Sequence, residues 1–324
     1  MLIWLTGLRG SGIHGLVFSP LLYFCSHEYV FNKFVDYHHF EMDTFRTALK
    51  LIQPGCFMAS VDLKGAYYSI PIAEEDRKLL MFQWKGKYYQ FPCLPNGLSS
   101  APRIFTKILK PVYARLRSIG HTCMGHIDDS LLVGQSFSSC HRDIADTVTL
   151  FTYLGFTIHP VKSVLQPQQK IDFRGFVLDS ITKTVTLKTA EAMRVRSACQ
   201  NLLFQKTTTI RSVAQVIGFL VSSFTAVEYA EMHYIHLELD KISALRPNKG
   251  NFDSIIALSV QSNTELTWWV NNVLTASKPS AMATLISLLL LMSQMLAGEL
   301  SVEIPPQGDS RVLRNKDNTQ IFLN

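Results

Sequence analysis

The residues best suited to chemistry in this sequence are acids at the ends of two β-type runs. One run is Phe57-Met-Ala-Ser-Val-Asp62-Leu-Lys-Gly-Ala-Tyr67-Tyr68-Ser-Ile-Pro71, and the other is Gly125-His126-Ile127-Asp128-Asp129-Ser130. Asp62 and Asp128 lie 66 residues apart. Three converging carboxylates can hold two divalent cations, the arrangement that supports in-line displacement at a phosphate. Taken alone, a Tyr-Tyr pair is ordinary strand packing and an Asp-Asp pair is an ordinary solvated turn. Asp62 just ahead of the tyrosines, and apolar flanks at 123–127 and 131–133, shift both readings towards acids set at the edge of a buried sheet. The chemistry expected is nucleotidyl transfer.

Elements that hold such acids need a core, and the composition supplies one. The 324 residues are 47% hydrophobic and 17% charged, enough for one to three globular domains. The net charge of +6 is modest, but its distribution is uneven. From Arg77 to Ile127 there are nine Lys or Arg and no Asp or Glu. A solvated basic face is one explanation, and a polyanionic partner is the other. Six scattered cysteines form no Cys-x-x-Cys pair, so neither a zinc site nor a disulfide framework is expected, and reduced thiols are. No basic-apolar-small order marks a leader, and the apolar run 281–296 falls short of the ~20 residues that cross a bilayer. The expected location is intracellular, in cytoplasm or nucleus, with no membrane partner.

The pattern along the chain predicts a short helix over 41–52, closed by Gln53-Pro-Gly55, and a strand over 57–63. Strands at 79–84 and 87–91 are joined at Lys85-Gly86. A helix over 99–116 has Pro102 in its first turn and Pro111 where a bend is expected. A hairpin follows over 123–134, then a helix over 138–154 ended by Gly155, a short strand at 156–159, a strand pair over 170–179 and a strand at 184–187. After Lys188 helical spacing takes over, at 191–204, 210–224, 227–243 and 265–273.

The order of these motifs resembles the reverse transcriptases of retrotransposons, most closely those of DIRS-like elements, from about Asn32 to Leu274. The resemblance implies an α+β fold: a right-hand polymerase palm with partial fingers, followed by a helical thumb. It divides the chain into partial or degraded fingers (1–55), palm (56–187, with a fingers insertion at about 74–92), thumb (188–250), a connection helix (251–275) and a tail (276–324). It implies that Asp62, Asp128 and Asp129, with the carbonyl of Leu63, bind two Mg²⁺ ions, with Mn²⁺ as the alternative. Tyr67 would lie under the incoming sugar and leave no room for a 2′-hydroxyl. Asn96 and Gly97, in Leu94-Pro-Asn-Gly97, would meet the incoming nucleotide. Lys162 would protonate or neutralise the leaving pyrophosphate. Phe173, Arg174 and Gly175 would grip the primer. Six basic residues against Glu191 alone, between Lys183 and Arg211, suit a duplex backbone. The implied partners are an RNA or DNA template with its primer, and deoxynucleoside triphosphates. Oligomeric state stays open.

The sequence departs from the family pattern in several places. His126 stands where tyrosine is usual, which puts primer positioning in question. Gly65 stands where an acid is common, and a looser turn beside Tyr67 is expected. The segment 21–31 lacks the basic strand pair expected of the fingers. The signature of a ribonuclease H domain, Thr-Asp-Ala-Ser with a later Gly-Trp-Gly, is absent. With suitable codons read one nucleotide out of step, residues 291–300 spell Thr-Asp-Val-Ser-Asn-Ala-Gly-Trp-Gly-Ala. The tail 276–324 therefore reads as a frame-shifted remnant of ribonuclease H, against the plain alternative of an ordinary apolar tail. Three functions stay open: an active RNA-directed DNA polymerase, an inactive remnant that retains nucleic-acid binding, and a repurposed binding protein.

Overall fold

The computed structural model describes residues 32–205 and 207–279, together with three short strands at 300–303, 312–315 and 320–322. The segments 1–31 and 281–296, and the stretch 291–299, lie outside the described residues. The chain forms two compact units, Met1–Thr182 and Lys183–Asn324.

The first unit is built on a four-stranded antiparallel sheet in the order β4-β5-β1-β6, with β1 Phe57–Asp62, β4 Thr122–His126, β5 Asp129–Gly134 and β6 Val164–Gln168. β1 is central, and five of its six residues are buried. Its alternation puts Ala59 and Val61 on one face, with Ser60 and Asp62 on the other. The Ala59 face packs against two helices, α2 (Ala101–Ser118) and α3 (Phe137–Tyr153), through Phe105, Leu109, Leu116 and Phe151. Tyr67, Phe105, Phe156, Phe151 and Tyr113 form a chain of edge-on ring contacts through this core. α1 (Phe45–Leu51) begins after Thr44, whose capping box with Thr47 sets its start. α2 runs through Pro111 as one helix. His121 clamps α3 from the start of β4, with Nδ1 2.8 Å from Asp143 and Nε2 2.9 Å from Asp146.

Two short hairpins complete this unit. β2 (Met81–Trp84) pairs with β3 (Lys87–Gln90), and β7 (Lys170–Phe173) pairs with β8 (Phe176–Asp179). Residues 156–159 do not form the expected strand. They make one bridge, Leu63 to Ile158, and Pro160 then restricts the backbone and offers no N–H to extend it. β6 was not legible because it contains Pro167, but it is an edge strand, where proline is tolerated.

The second unit opens with β9 (Thr184–Leu187) and is otherwise mainly helical: α4 Thr189–Phe204, α5 Ile210–Ser223, α6 Ile235–Leu245 and α7 Val260–Asn272. Its core gathers Val195, Cys199, Val213, Leu220, Leu237 and Trp269. The helix expected over 227–243 is interrupted. Tyr229 takes a left-handed φ of 61°, a 3₁₀ turn follows at Ala230–Met232, and α6 starts only at Ile235. Glu265 on α7 then accepts the backbone N–H groups of His236 and Leu237, which satisfies the open first turn of α6. Asp240 on α6 returns the contact, accepting from the Ser259 N–H and the Ser262 hydroxyl at the start of α7.

The five described cysteines are free. Burial pushes the thiols of Cys123 and Cys140 up to about 11, and that of Cys199 up to about 12. These are packing residues with little thiolate character. No helix among the described residues is long and apolar enough to cross a membrane.

Candidate active site

The acids meet because β1 and β5 run antiparallel in a register that sets Asp62 directly opposite Asp129. Paired residues project to the same face, so both carboxylates leave the sheet on the side away from α2 and α3. β4 and β5 are joined by the two residues Ile127 and Asp128. Ile127 takes φ 55°, a region that a β-branched residue seldom enters and that costs on the order of 1–3 kcal/mol. That conformation makes the tight turn, whose Asp128 carbonyl accepts the Leu63 N–H at 2.9 Å.

Gly125 has a steric reason to be glycine. A Cβ there would stand 2.0 Å from Cζ of Tyr113, whose hydroxyl is 2.7 Å from that of Ser130. His126 is held from outside the sheet. Its Nδ1 is 2.6 Å from the Asp43 carbonyl, and a carbonyl only accepts, so Nδ1 carries the hydrogen. Asp43 also accepts from the Gly125 N–H and from Arg117. The imidazole at this position is therefore ordered, and it anchors the hairpin to the turn before α1. Gly65 takes φ 64°, a left-handed conformation that glycine adopts at no steric cost. Its carbonyl accepts from the Ser69 N–H, and the turn is closed.

Electrostatics report the convergence. Burial pushes the Asp129 carboxyl up, the negative charges of Asp128 and Asp62 push it further, and Arg174 and His126 oppose them. Burial and the Asp128 charge likewise raise the Tyr67 phenol. Lys162 Nζ lies 3.8 Å from Asp62, and Arg174 Nε lies 4.0 Å from Asp129. Burial lowers the Arg174 guanidinium, against the pull of Asp129 and Asp128. Arg174 (φ 49°) and Gly175 (φ 87°) form the turn of the β7–β8 hairpin, while Phe173 is buried and stacks on Phe45.

The sequence-selected residues thus form two groups. Asp62, Asp128, Asp129, Tyr67, Lys162 and Arg174 are linked by charge or contact, with Leu63 buried beneath them. Asn96 and Gly97 sit on a turn that joins the site through Tyr68: Asn96 Nδ2 donates to the Tyr68 hydroxyl at 3.0 Å. Sequence reasoning missed Asn32 and Ser163. The Asn32 side chain spans that turn, donating to the Gly97 carbonyl and accepting from the Ser99 N–H, each at 2.9 Å. The Ser163 hydroxyl accepts the Asp62 N–H at 3.0 Å. Ser163 follows Lys162 in a segment that resembles a palm motif, but neither hydrogen bond stands in a pattern that spacing could reveal.

Among the described residues, no three carboxylate, imidazole or thiol side chains are gathered closely enough to hold a metal ion as they stand. The donor set of Asp62, Asp128 and Asp129 is nevertheless all oxygen, and the negative charges of Asp128 and Asp62 add to burial in raising the Asp129 carboxyl. A hard divalent cation fits that chemistry.

The family described as reverse transcriptase (RNA-dependent DNA polymerase) matches residues 15–178. Among curated proteins, the Gag-Pol polyprotein of Rous sarcoma virus subgroup C is 30% identical over 142 residues, 41% of this chain and 9% of that protein. The Pol polyprotein from transposon gypsy of Drosophila melanogaster is 37% identical over 92 residues, 28% of this chain and 9% of that protein. The chain thus matches only about a tenth of the length of these relatives. The fold is shared with the foamy viral protease-reverse transcriptase in complex with double-stranded DNA, at TM-score 0.62 and 16% identity over 90% of this chain and 46% of that one. A second foamy viral structure, with an RNA/DNA hybrid, gives TM-score 0.58 at 18% identity over 89% and 35% of the two chains. The architecture is therefore the palm and fingers of a polymerase, and the chain belongs to the reverse transcriptase (RNA-dependent DNA polymerase) family.

Proposed function

We propose that this chain is the RNA-directed DNA polymerase of a retrotransposon, adding deoxynucleotides to a primer on an RNA or DNA template. The observation that carries this reading is the register of β1 on β5, which sets Asp62 opposite Asp129 with Asp128 at the adjoining tip. In this reading residues 56–187 are the palm, about 74–92 belong to the fingers, 188–250 are the thumb and 251–275 a connection. The motifs quoted above favour a DIRS-like source.

Asp62 and Asp128, with Asp129 and the Leu63 carbonyl beside them, would hold two Mg²⁺ ions, or Mn²⁺ in their place. Bound there, the ions make the primer 3′-hydroxyl more acidic and neutralise the triphosphate. The other residues have separate tasks. Tyr67, packed edge-on against Phe105, gives a fixed ring wall for the sugar. Asn96 and Gly97 border the nucleotide on a turn held by Asn32. Lys162, 64% exposed at its side chain and able to leave Asp62, neutralises or protonates the departing pyrophosphate. Arg174 and Gly175, at the hairpin turn beside Asp129, grip the primer terminus, and Phe173, expected to join them, is buried and anchors the hairpin instead.

Primer extension on an RNA template with a DNA primer, deoxynucleotides and Mg²⁺ tests this reading, beside Asp128→Asn. Template-dependent extension that the variant loses, with duplex binding kept, is the expected result. A folded protein that binds duplex yet extends nothing would favour the inactive remnant, a reading to which the histidine at position 126 lends weight.

A further inference from the structure

α6 carries apolar residues on two opposite faces. Leu237 is buried in the core of the second unit, and Ala244 and Leu245 pack against that core. Ile235, Leu239 and Ile242 fall at i, i+4 and i+7, one stripe of the helix. Helical periodicity turns this stripe away from Leu237 and Ala244. Its three residues are 48%, 52% and 40% exposed, and Met232, in the turn just ahead of α6, is 66% exposed. A helix with one face on a core ordinarily shows water a polar face. Single exposed apolar residues need no explanation, but a row of them marks a surface that something covers.

The chain is fastened beside that row further along. Lys278 and Pro279 pair antiparallel with Val185 and Thr184 of β9. Lys278 Nζ donates to the Phe224 carbonyl and to Glu231, each at 3.0 Å. Glu231 adjoins Met232, and the Phe224 ring packs against Tyr234, the residue before α6. The chain therefore leaves Pro279 close to the start of the apolar row. Two residues on begins the run 281–296, which holds no Asp, Glu, Lys or Arg. Water disfavours such a run along its whole length. The 11 residues of α6 span about 16 Å, a distance that about five extended residues cover. The run reaches the full stripe, and its tether keeps it there at high effective concentration.

We propose that residues 281–296 dock on the Met232–Ile235–Leu239–Ile242 stripe and cover it. The need for cover comes from the side chains of both partners. It holds whether the tail is an ordinary apolar one or a frame-shifted remnant. The inference is independent of the polymerase reading.

Hydrogen exchange of the full chain, read by mass spectrometry, tests it. Peptides within 281–296 should exchange at least about tenfold more slowly than an unprotected chain. Leu239→Glu should abolish that protection and leave the amides of α4 and α5 slow, because Leu239 faces away from the core. In the reverse direction, Leu289→Glu should speed peroxide oxidation of Met232 several-fold. If Leu239→Glu loosens α4 and α5 as well, the milder Leu239→Ser and the Met232 oxidation rate decide. Unprotected 281–296 in the unaltered chain, or protection that the Leu239 variants leave intact, overturns the proposal. Light scattering is recorded alongside. Protection that fades on dilution as a dimer dissociates would assign the stripe to a second copy of the chain and overturn the proposal too.

Discussion

The hydroxyl of Ser163 accepts the backbone N–H of Asp62 at 3.0 Å, across 101 residues of sequence. The His159 N–H meets the Asp62 carbonyl at 2.8 Å, so one short segment holds both backbone groups of this acid. Asp62 lies past the last residue of β1 paired with β6, where the ladder no longer supplies a partner. Ser163 substitutes for it. Ser163→Ala leaves a part-buried donor unmatched, at a cost of about 1–3 kcal/mol. Extension should fall several-fold and need more Mg²⁺ for half-maximal rate, whereas Ser163→Thr should restore both. A Mg²⁺ titration of extension rate decides, and an unchanged Mg²⁺ requirement would reduce Ser163 to a fold contact.

Arg174 reaches Asp129 from the turn of the β7–β8 hairpin. If it also meets a primer phosphate, Arg174→Ala removes one counterion-releasing contact. The slope of log affinity against log salt for primer–template duplex should then shrink by about 0.9. A slope equal to the unaltered protein's would mean that Arg174 serves Asp129 alone.

Gly125 lies under the Tyr113 ring, and a methyl group there collides with it. Gly125→Ala should destabilise the chain by about 1–3 kcal/mol or more, because the buried ring has nowhere to move. Adding Tyr113→Ala should cost less than it does in the unaltered chain, since it removes the clash. Urea unfolding of the four proteins measures that coupling, and strictly additive costs would refute the steric reading.

Glu265 and Asp240 cap each other's helices in the second unit, and they respond differently to change. Glu265→Ala strips partners from two backbone N–H groups, so thermal unfolding should come at lower temperature, by about 1–3 kcal/mol of stability.

Asp240 adds a pH dependence. Burial alone would raise its carboxyl, but hydrogen bonds from Ser262 and Ser259 outweigh burial and hold it below the usual carboxylate range. The native state then binds this proton more weakly than the unfolded chain does. Its stabilisation is full above the unfolded value of about 3.9 and is lost as pH falls through the lower native value. Asp240→Asn should flatten that acid limb in unfolding curves taken below about pH 4. An acid limb as steep as the parent's would show that other carboxylates govern it.

Much of this protein was legible without coordinates, and the reason is local. Strand alternation, the Lys85-Gly86 and Ile127-Asp128 turns and the capping of α3 each depend on neighbours within a few residues. They fix the strands that carry Asp62 and Asp129, and with them the family's motifs. Local pattern misled where a long-range partner intervened. β6 forms despite Pro167 because an edge strand lacks one neighbour, and α6 begins late because Glu265, some 29 residues on, caps it there. Tertiary structure alone decided that Ser163 serves Asp62, that the Asp43 carbonyl orders His126 across 83 residues, and that Asn32 holds the Gly97 turn across 65. A single side chain's hydrogen bond has no period and no spacing. It exists only once the chain has brought two distant backbones within about 3 Å, and that proximity is set by the packing of the whole core.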